Sequence, residues 1–146
     1  MASVPHNIFV IINRVLSPNN ERLAVEYKGL DKNLTLEPLD EGNDNQLWVI
    51  KSPNEPTTIV PLLAGDEQAA QNLQFVLAKK LEKPEEWELA GYNDPPPTES
   101  CSFPPDRVWD GGKAVPGAEV TIDTVPMEPR SFTQLWVLKG AILGEA

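Results

Sequence analysis

Asn45-Gln46-Leu47-Trp48-Val49-Ile50 and Thr133-Gln134-Leu135-Trp136-Val137-Leu138 are two copies of one pattern, Gln-x-Trp followed by apolar residues, with their tryptophans 88 residues apart. That separation is about two units of the length marked out by the first fifty residues. Those residues read as four short strands, Ile8 to Arg14, Arg22 to Tyr27, Leu34 to Leu39 and Gln46 to Lys51, separated by Ser17-Pro18-Asn19-Asn20, Lys28-Gly29-Leu30-Asp31 and Glu41-Gly42-Asn43-Asp44-Asn45. Each separator holds residues that pre-set a bend or tolerate a positive φ. Four strands in about 45 residues, repeated three times, predict an all-β chain of β-trefoil type.

A middle copy of the motif is therefore required between the two tryptophans. Its best candidate is Asn72-Leu73-Gln74-Phe75-Val76-Leu77, with Phe75 in the tryptophan place; the alternative is Glu85-Glu86-Trp87-Glu88-Leu89. With Phe75, the middle unit runs 27 residues and the last runs 61. The reading is then a single domain over 1–146, with repeat 1 at about 6–51, a shortened repeat 2 at about 52–80 that has lost a hairpin, and repeat 3 at about 81–140. The long third repeat would carry the proline-rich loop from Tyr92 to Pro105, whose prolines cannot serve a central strand. One stretch conflicts locally. Asp66 to Lys80 opens on an acid and continues through strong helix formers, which allows a short helix over 66–72 ahead of a strand from Leu73.

Composition narrows the function. The chain has 146 residues, enough for one domain with a real core, and its 15 prolines and 9 glycines favour many turns over long helices. A formal net charge of −10 without any Lys/Arg run argues against nucleic acid as a partner. No window approaches the roughly 20 apolar residues of a membrane-spanning helix, which argues against membrane insertion. Cys101, the only cysteine, has no intramolecular disulfide partner, and the N-terminus lacks a basic segment followed by an apolar one, so a cytosolic protein is expected.

Catalysis finds no constellation. The single histidine, His6, stands near the N-terminus, and Cys101 sits among prolines without an identifiable base. Neither a glycine-rich phosphate loop nor a metal-ligand spacing is present, so neither cofactor nor metal is expected. The motif itself reads as scaffold. In a strand, residues i and i+2 share a face, so Gln46 with Trp48, and Gln134 with Trp136, turn inward together. The indole fills the core while the amide satisfies backbone groups where the strand leaves the barrel.

With these residues in hand, the chain resembles the ricin-type β-trefoils, in which Gln-x-Trp closes each repeat. Its first third, from Asn7-Ile8-Phe9-Val10-Ile11-Ile12-Asn13-Arg14 through Glu21-Arg22-Leu23-Ala24-Val25-Glu26-Tyr27 and Gly29, is similar to a mushroom family. That family includes a nematotoxic lectin for fucosylated chitobiose cores and related serine protease inhibitors. The resemblance implies a β-trefoil, cytosolic storage in fruiting bodies and a defensive role. It also implies that the sugar of the mushroom lectin falls on the second repeat, where the aligned pair is Leu73 and Phe75. The aromatic that a galactose-binding ricin repeat carries twelve residues before Trp48 is here Leu36.

Two binding functions follow. As a monomeric carbohydrate-binding lectin for fucosylated or GlcNAc-containing glycans, the chain would use Trp109 after Asp106 and Arg107, and Trp87 with Tyr92, as aromatic platforms flanked by polar groups. As an inhibitor of a trypsin-like serine protease, it would offer Lys28 or Lys32, between the second and third strands, to the protease pocket; Arg107, Lys113 and Arg130 are further basic candidates.

Overall fold

A computed structural model describes residues 7–52, 55–88, 108–123 and 132–140. Among the described residues ten strands occur in chain order: β1 (Ile8–Asn13), β2 (Leu23–Glu26), β3 (Thr35–Pro38), β4 (Trp48–Val49), β5 (Val60–Pro61), β6 (Gln68–Asn72), β7 (Phe75–Lys79), β8 (Val108–Asp110), β9 (Thr121–Asp123) and β10 (Trp136–Gly140). Single 3-10 turns, Asp44–Gln46 and Phe132–Gln134, precede β4 and β10. The all-β expectation holds, and the four strands read from the first fifty residues match β1 to β4.

Apolar runs decide which strands lie in the middle. β1 is buried at five of its six positions and takes antiparallel partners in β10, β4 and β2, with Ile11 opposite Leu138 and Phe9 opposite Trp48. β4 continues to β5, with Trp48 opposite Pro61. Hairpin β2–β3 extends this sheet through β1–β2, and hairpins β6–β7 and β8–β9 pair with each other in a second, four-stranded sheet.

The three hairpins meet through a closed ring of backbone hydrogen bonds. Leu34 N–H donates to Val76 O at 2.8 Å, Val76 N–H to Val120 O at 3.4 Å, and Val120 N–H to Leu34 O at 3.0 Å. The flanking β-bridges repeat the same cycle: Asn33 with Leu77, Phe75 with Thr121, and Glu119 with Thr35. Leu34, Val76 and Val120 are all buried, as groups surrounding an internal threefold axis must be.

That axis fixes which residues correspond. Trp48 Nε1 donates to Val25 O at 3.0 Å, Trp87 Nε1 to Ala69 O at 3.1 Å, and Trp136 Nε1 to Trp109 O at 3.1 Å. Trp87, not Phe75, therefore holds the tryptophan place of the middle unit. Phe75 begins β7, and the hairpin that a unit ending at Phe75 has no room for is β6–β7 itself, closed by the two-residue turn Leu73-Gln74. The motif is hard to see there because its glutamine is Glu85.

Gln46 and Gln134 turn inward as expected, but from the 3-10 turns and not from the strands. The helix signals of residues 66–72 are overridden. Pairing with β7 along five residues, together with Ala69 N–H donating to Ile59 O at 2.8 Å, draws the segment into β6.

Trp48, Trp87, Trp109 and Trp136 are fully buried in one core with Ile11, Leu23, Leu36, Ile50 and Ile59. The Trp109 ring meets Trp87 edge-on at 5.3 Å between centroids and Trp136 at 6.4 Å, the geometry that the ring quadrupole favours.

Candidate functional site

The buried indoles overturn one sequence expectation directly. Trp109 and Trp87 have no exposed face, so neither forms a sugar platform. Backbone pairing of Trp109 with Ile122 and of Trp87 with Thr57 sets both rings in the core, and burying an aromatic side chain is worth about 1.5–3 kcal/mol over leaving it in water. Asp106, Arg107, Tyr92, Cys101 and Arg130 lie outside the described residues. Leu73 sits at the tip of the β6–β7 turn, 81% exposed and with φ of 55°, and Phe75 is half-buried in β7. They do not stand in the places equivalent to Gln46 and Trp48, which belong to Glu85 and Trp87.

The basic loop is also placed. Lys28 Nζ lies 2.8 Å from Glu26 Oε2 and 3.1 Å from Glu37 Oε2, and its side chain is 37% exposed. The hydrogen bond to Glu26, ahead of opposing desolvation, raises its pKa. An ammonium held by two carboxylates is not presented to a protease pocket. Lys32 is exposed, and its carbonyl accepts from Ala78 N–H at 3.3 Å.

Following the threefold equivalence outward from each motif glutamine reveals three versions of one polar socket. In the first, Gln46 Nε2 donates to Glu26 Oε1 and to Pro38 O, both at 3.0 Å. Asn43 Nδ2 donates to the same Glu26 oxygen at 2.9 Å, Thr35 Oγ1 donates to Glu37 Oε2 at 2.8 Å, and Lys28 binds both acids.

In the third, Gln134 Nε2 donates to Asp110 Oδ2 at 3.1 Å and to Asp123 Oδ2 at 2.9 Å. Asp110 and Asp123 stand where Glu26 and Glu37 stand, because Asp110 faces Thr121 across β8–β9 as Glu26 faces Thr35 across β2–β3. The place of Lys28 falls to Gly112, whose N–H donates to Asp110 Oδ1 at 2.8 Å. Each Asp110 oxygen thus receives one described donor, and a carboxylate has roughly four acceptor sites in all.

In the middle socket the polarity is inverted. Ala70 and Lys79 replace the two acids, and Glu85 replaces the glutamine. Glu85 Oε2 accepts from Gln71 N–H at 2.7 Å, while its own N–H donates to Gln68 Oε1 at 2.8 Å. This carboxylate is part of the backbone connection, so the repeat that the resemblance points to lacks the arrangement of the other two.

The third socket has an aromatic beside it. Phe132 opens the 3-10 turn that delivers Gln134, its ring is 63% exposed, and the Arg14 guanidinium carbon lies 5.4 Å from the ring centroid. Thr133 O anchors this turn by accepting from Gly111 N–H and Asn13 Nδ2, each at 2.9 Å. Gly111 is needed for that approach, since a Cβ there would lie 2.6 Å from Asn13 Nδ2. Sequence reasoning missed Phe132, Arg14, Asp110 and Asp123, and treated Gln134 as scaffold alone. The signal available was Asp110 and Gln134 at the spacing of Glu26 and Gln46 to within a few residues, with phenylalanine two residues before the glutamine.

Among the described residues, no three or more His, Cys, Asp or Glu are grouped to hold a metal ion, and no helix is long and apolar enough to cross a membrane. The arrangement can accept hydroxyl protons on a fixed carboxylate and stack an apolar face on a ring, which is the chemistry of sugar recognition.

Similar folds are found among lectins. The Macrolepiota procera ricin B-like lectin in complex with lactose aligns over 97% of this chain and 100% of its own, at 14% identity and a TM-score of 0.66. The Rhizoctonia solani agglutinin aligns over 97% and 99%, at 14% identity and a TM-score of 0.63. A structure described as SeviL bound to asialo-GM1 saccharide aligns over 95% and 99%, at 16% identity and a TM-score of 0.63. At such identities the likeness is one of fold. No curated protein sequence matches the chain. A family model does: the one described as CCL2 lectin-like matches residues 8–91, more than half of the sequence. On that match, the β-trefoil described above belongs to the CCL2 lectin-like family.

Proposed function

We propose that this chain is a monomeric, non-enzymatic carbohydrate-binding protein that holds its glycan at the third socket, against Asp110, Gln134 and Phe132. The observation that carries the reading is the Asp110 carboxylate. Gln134 Nε2 and Gly112 N–H fix it in place, and both of its oxygens keep acceptor capacity toward solvent. A preset acceptor of this kind takes vicinal sugar hydroxyls at little ordering cost. Leu36 and its counterpart Ile122 are both buried aliphatics, so neither socket carries an aromatic at that place, and Phe132 supplies the stacking face.

Family membership supports glycans as the partner class. Lactose and the asialo-GM1 saccharide, named with the structural neighbours, are first candidates, beside the fucosylated or GlcNAc-containing glycans that the mushroom resemblance implies. The same resemblance supports a cytosolic defence role as part of this proposal. The experiment is a glycan array read with wild-type protein and with Asp110→Asn, which keeps the shape and removes the charge. Binding by the wild type that falls tenfold or more in the variant supports the site; equal binding by both sinks it.

A further inference from the structure

The tip of the β6–β7 hairpin carries a residue that neither the backbone nor the core calls for. Around the threefold axis a second tier of bonds follows the first: Ala78 N–H donates to Lys32 O at 3.3 Å, Ile122 N–H to Gln74 O at 2.8 Å, and Leu36 N–H to Ala118 O at 2.8 Å. The residues just before these acceptors are therefore equivalent, and all three have a left-handed backbone: Asp31 with φ of 61°, Leu73 with 55° and Gly117 with 84°. Glycine enters this region freely and aspartate tolerates it, whereas leucine brings its Cβ against a carbonyl oxygen. Leu73 is also 81% exposed, so burial does not offset that cost.

The pairing of β7 with β9 sets this tip at the third socket. Phe75 lies opposite Thr121, and the bond from Ile122 to Gln74 carries the same antiparallel register onward, so Leu73 falls beside Asp123. Thr121 faces Asp110 across β8–β9, and Asp123 accepts from Gln134. Neighbouring strands are about 4.8 Å apart, which places the backbone of Phe75 and Leu73 one spacing from Thr121 and Asp123 and two from Asp110. The other sockets have no such edge. Glu119 and Gly117 hold these places beside Thr35 and Glu37 of the first, and Asn33 and Asp31 hold them beside Leu77 and Lys79 of the middle one. Of the three, the third alone is bordered by two apolar side chains, the exposed Leu73 and the half-buried Phe75.

We propose that Leu73 and Phe75, from the second repeat, form an apolar wall of the third-repeat glycan site, with Leu73 as the specificity-determining contact to an apolar face or methyl group of the bound glycan. The inference rests on the reading of the third socket as a glycan site and makes that site one shared between two repeats. Gln71 Nε2, donating to Leu73 O at 3.1 Å, holds the tip, so the leucine is presented with little ordering left to lose on binding.

The test sets wild type beside Leu73→Gly, Leu73→Asn and Asp110→Asn on an array carrying lactose, the asialo-GM1 saccharide and fucosylated chitobiose, followed by calorimetric titration with the best binder and by thermal melts. Both Leu73 variants give the tip a residue suited to a left-handed backbone. Their melting temperatures are expected to equal or exceed that of wild type while glycan affinity falls several-fold, a split that a merely structural role does not produce. Wild-type affinity in both Leu73 variants overturns the wall, and does so without touching the third socket if Asp110→Asn still weakens binding. Weakened binding in the Leu73 variants with none in Asp110→Asn keeps Leu73 as a glycan contact and removes the reading of the third socket. A lowered melting temperature in both Leu73 variants makes the leucine structural and overturns the proposal, as does a wild type that binds none of the three glycans.

Discussion

The sockets of the first and third repeats share a scaffold and differ in what fills them. Trp48 and Trp136 sit equally buried at their bases, each tied by Nε1 to a strand carbonyl, and Gln46 and Gln134 each hold a carboxylate from below. Above that level the first socket is closed by Lys28 and Asn43, whereas the third meets solvent with Asp110, Gly112 and the exposed ring of Phe132. The two repeats keep the residues that the fold requires and differ in side chains above them that it does not, Asp44 standing where the third repeat has Phe132.

The largest effect tests the shared part. Trp48→Ala and Trp136→Ala each remove a buried indole and its hydrogen bond, and both are expected to lower stability by about 3–5 kcal/mol in urea unfolding. A difference of several kcal/mol between them would break the equivalence of the two bases.

Next comes the carboxylate pair. Asp110→Asn is expected to weaken glycan binding tenfold or more, while Glu26→Gln, its counterpart, leaves it unchanged; titration of both variants with one glycan decides. A loss in Glu26→Gln alone would exchange the roles of the two sockets.

A third prediction concerns the seam behind the first socket. Tyr27 Oη donates to Glu67 Oε1 at 2.8 Å, and burial, reinforced by Glu67, pushes the phenol up to about 12 from its ordinary 10.0. The folded state thus binds this proton more tightly than the unfolded chain. The resulting stability is complete below pH 10 and is lost as pH rises from 10 toward 12. Tyr27→Phe should flatten that decline in denaturant midpoints and, by leaving the buried Glu67 carboxylate without this donor, cost about 1–3 kcal/mol at neutral pH.

The smallest effect is at the rim. Phe132→Ala should change stability by no more than about 0.5 kcal/mol, as exposed positions do, yet weaken glycan binding several-fold. Thermal melts beside titrations separate the two.

The sequence made the fold legible where local and global signals agreed. Gln46-Leu47-Trp48 and Gln134-Leu135-Trp136 located two repeats because each residue has a structural duty that only its type performs. The middle repeat was obscured where the duty passed to another residue. Glu85 in place of glutamine hides the motif at Trp87, and helix formers at 68–72 lie in a strand because β7 and Ile59 satisfy their backbone. The site was less legible for a different reason. Tryptophans attract attention as platforms, but Trp87 and Trp109 are large apolar groups beside a core with room for them. The relation of Asp110 to Gln134 depends on two hairpin registers that the spacing alone does not set.

The most direct test follows backbone and side-chain amides by NMR while the best array glycan is added to the wild-type protein. The account predicts shifts at the Gln134 side-chain amide, Gly112 N–H and Phe132, with the Gln46 side-chain amide and Gln71 N–H unmoved. Shifts centred on Gln46 or on Gln71 and Glu85, with Gln134 and Gly112 unchanged, would contradict it.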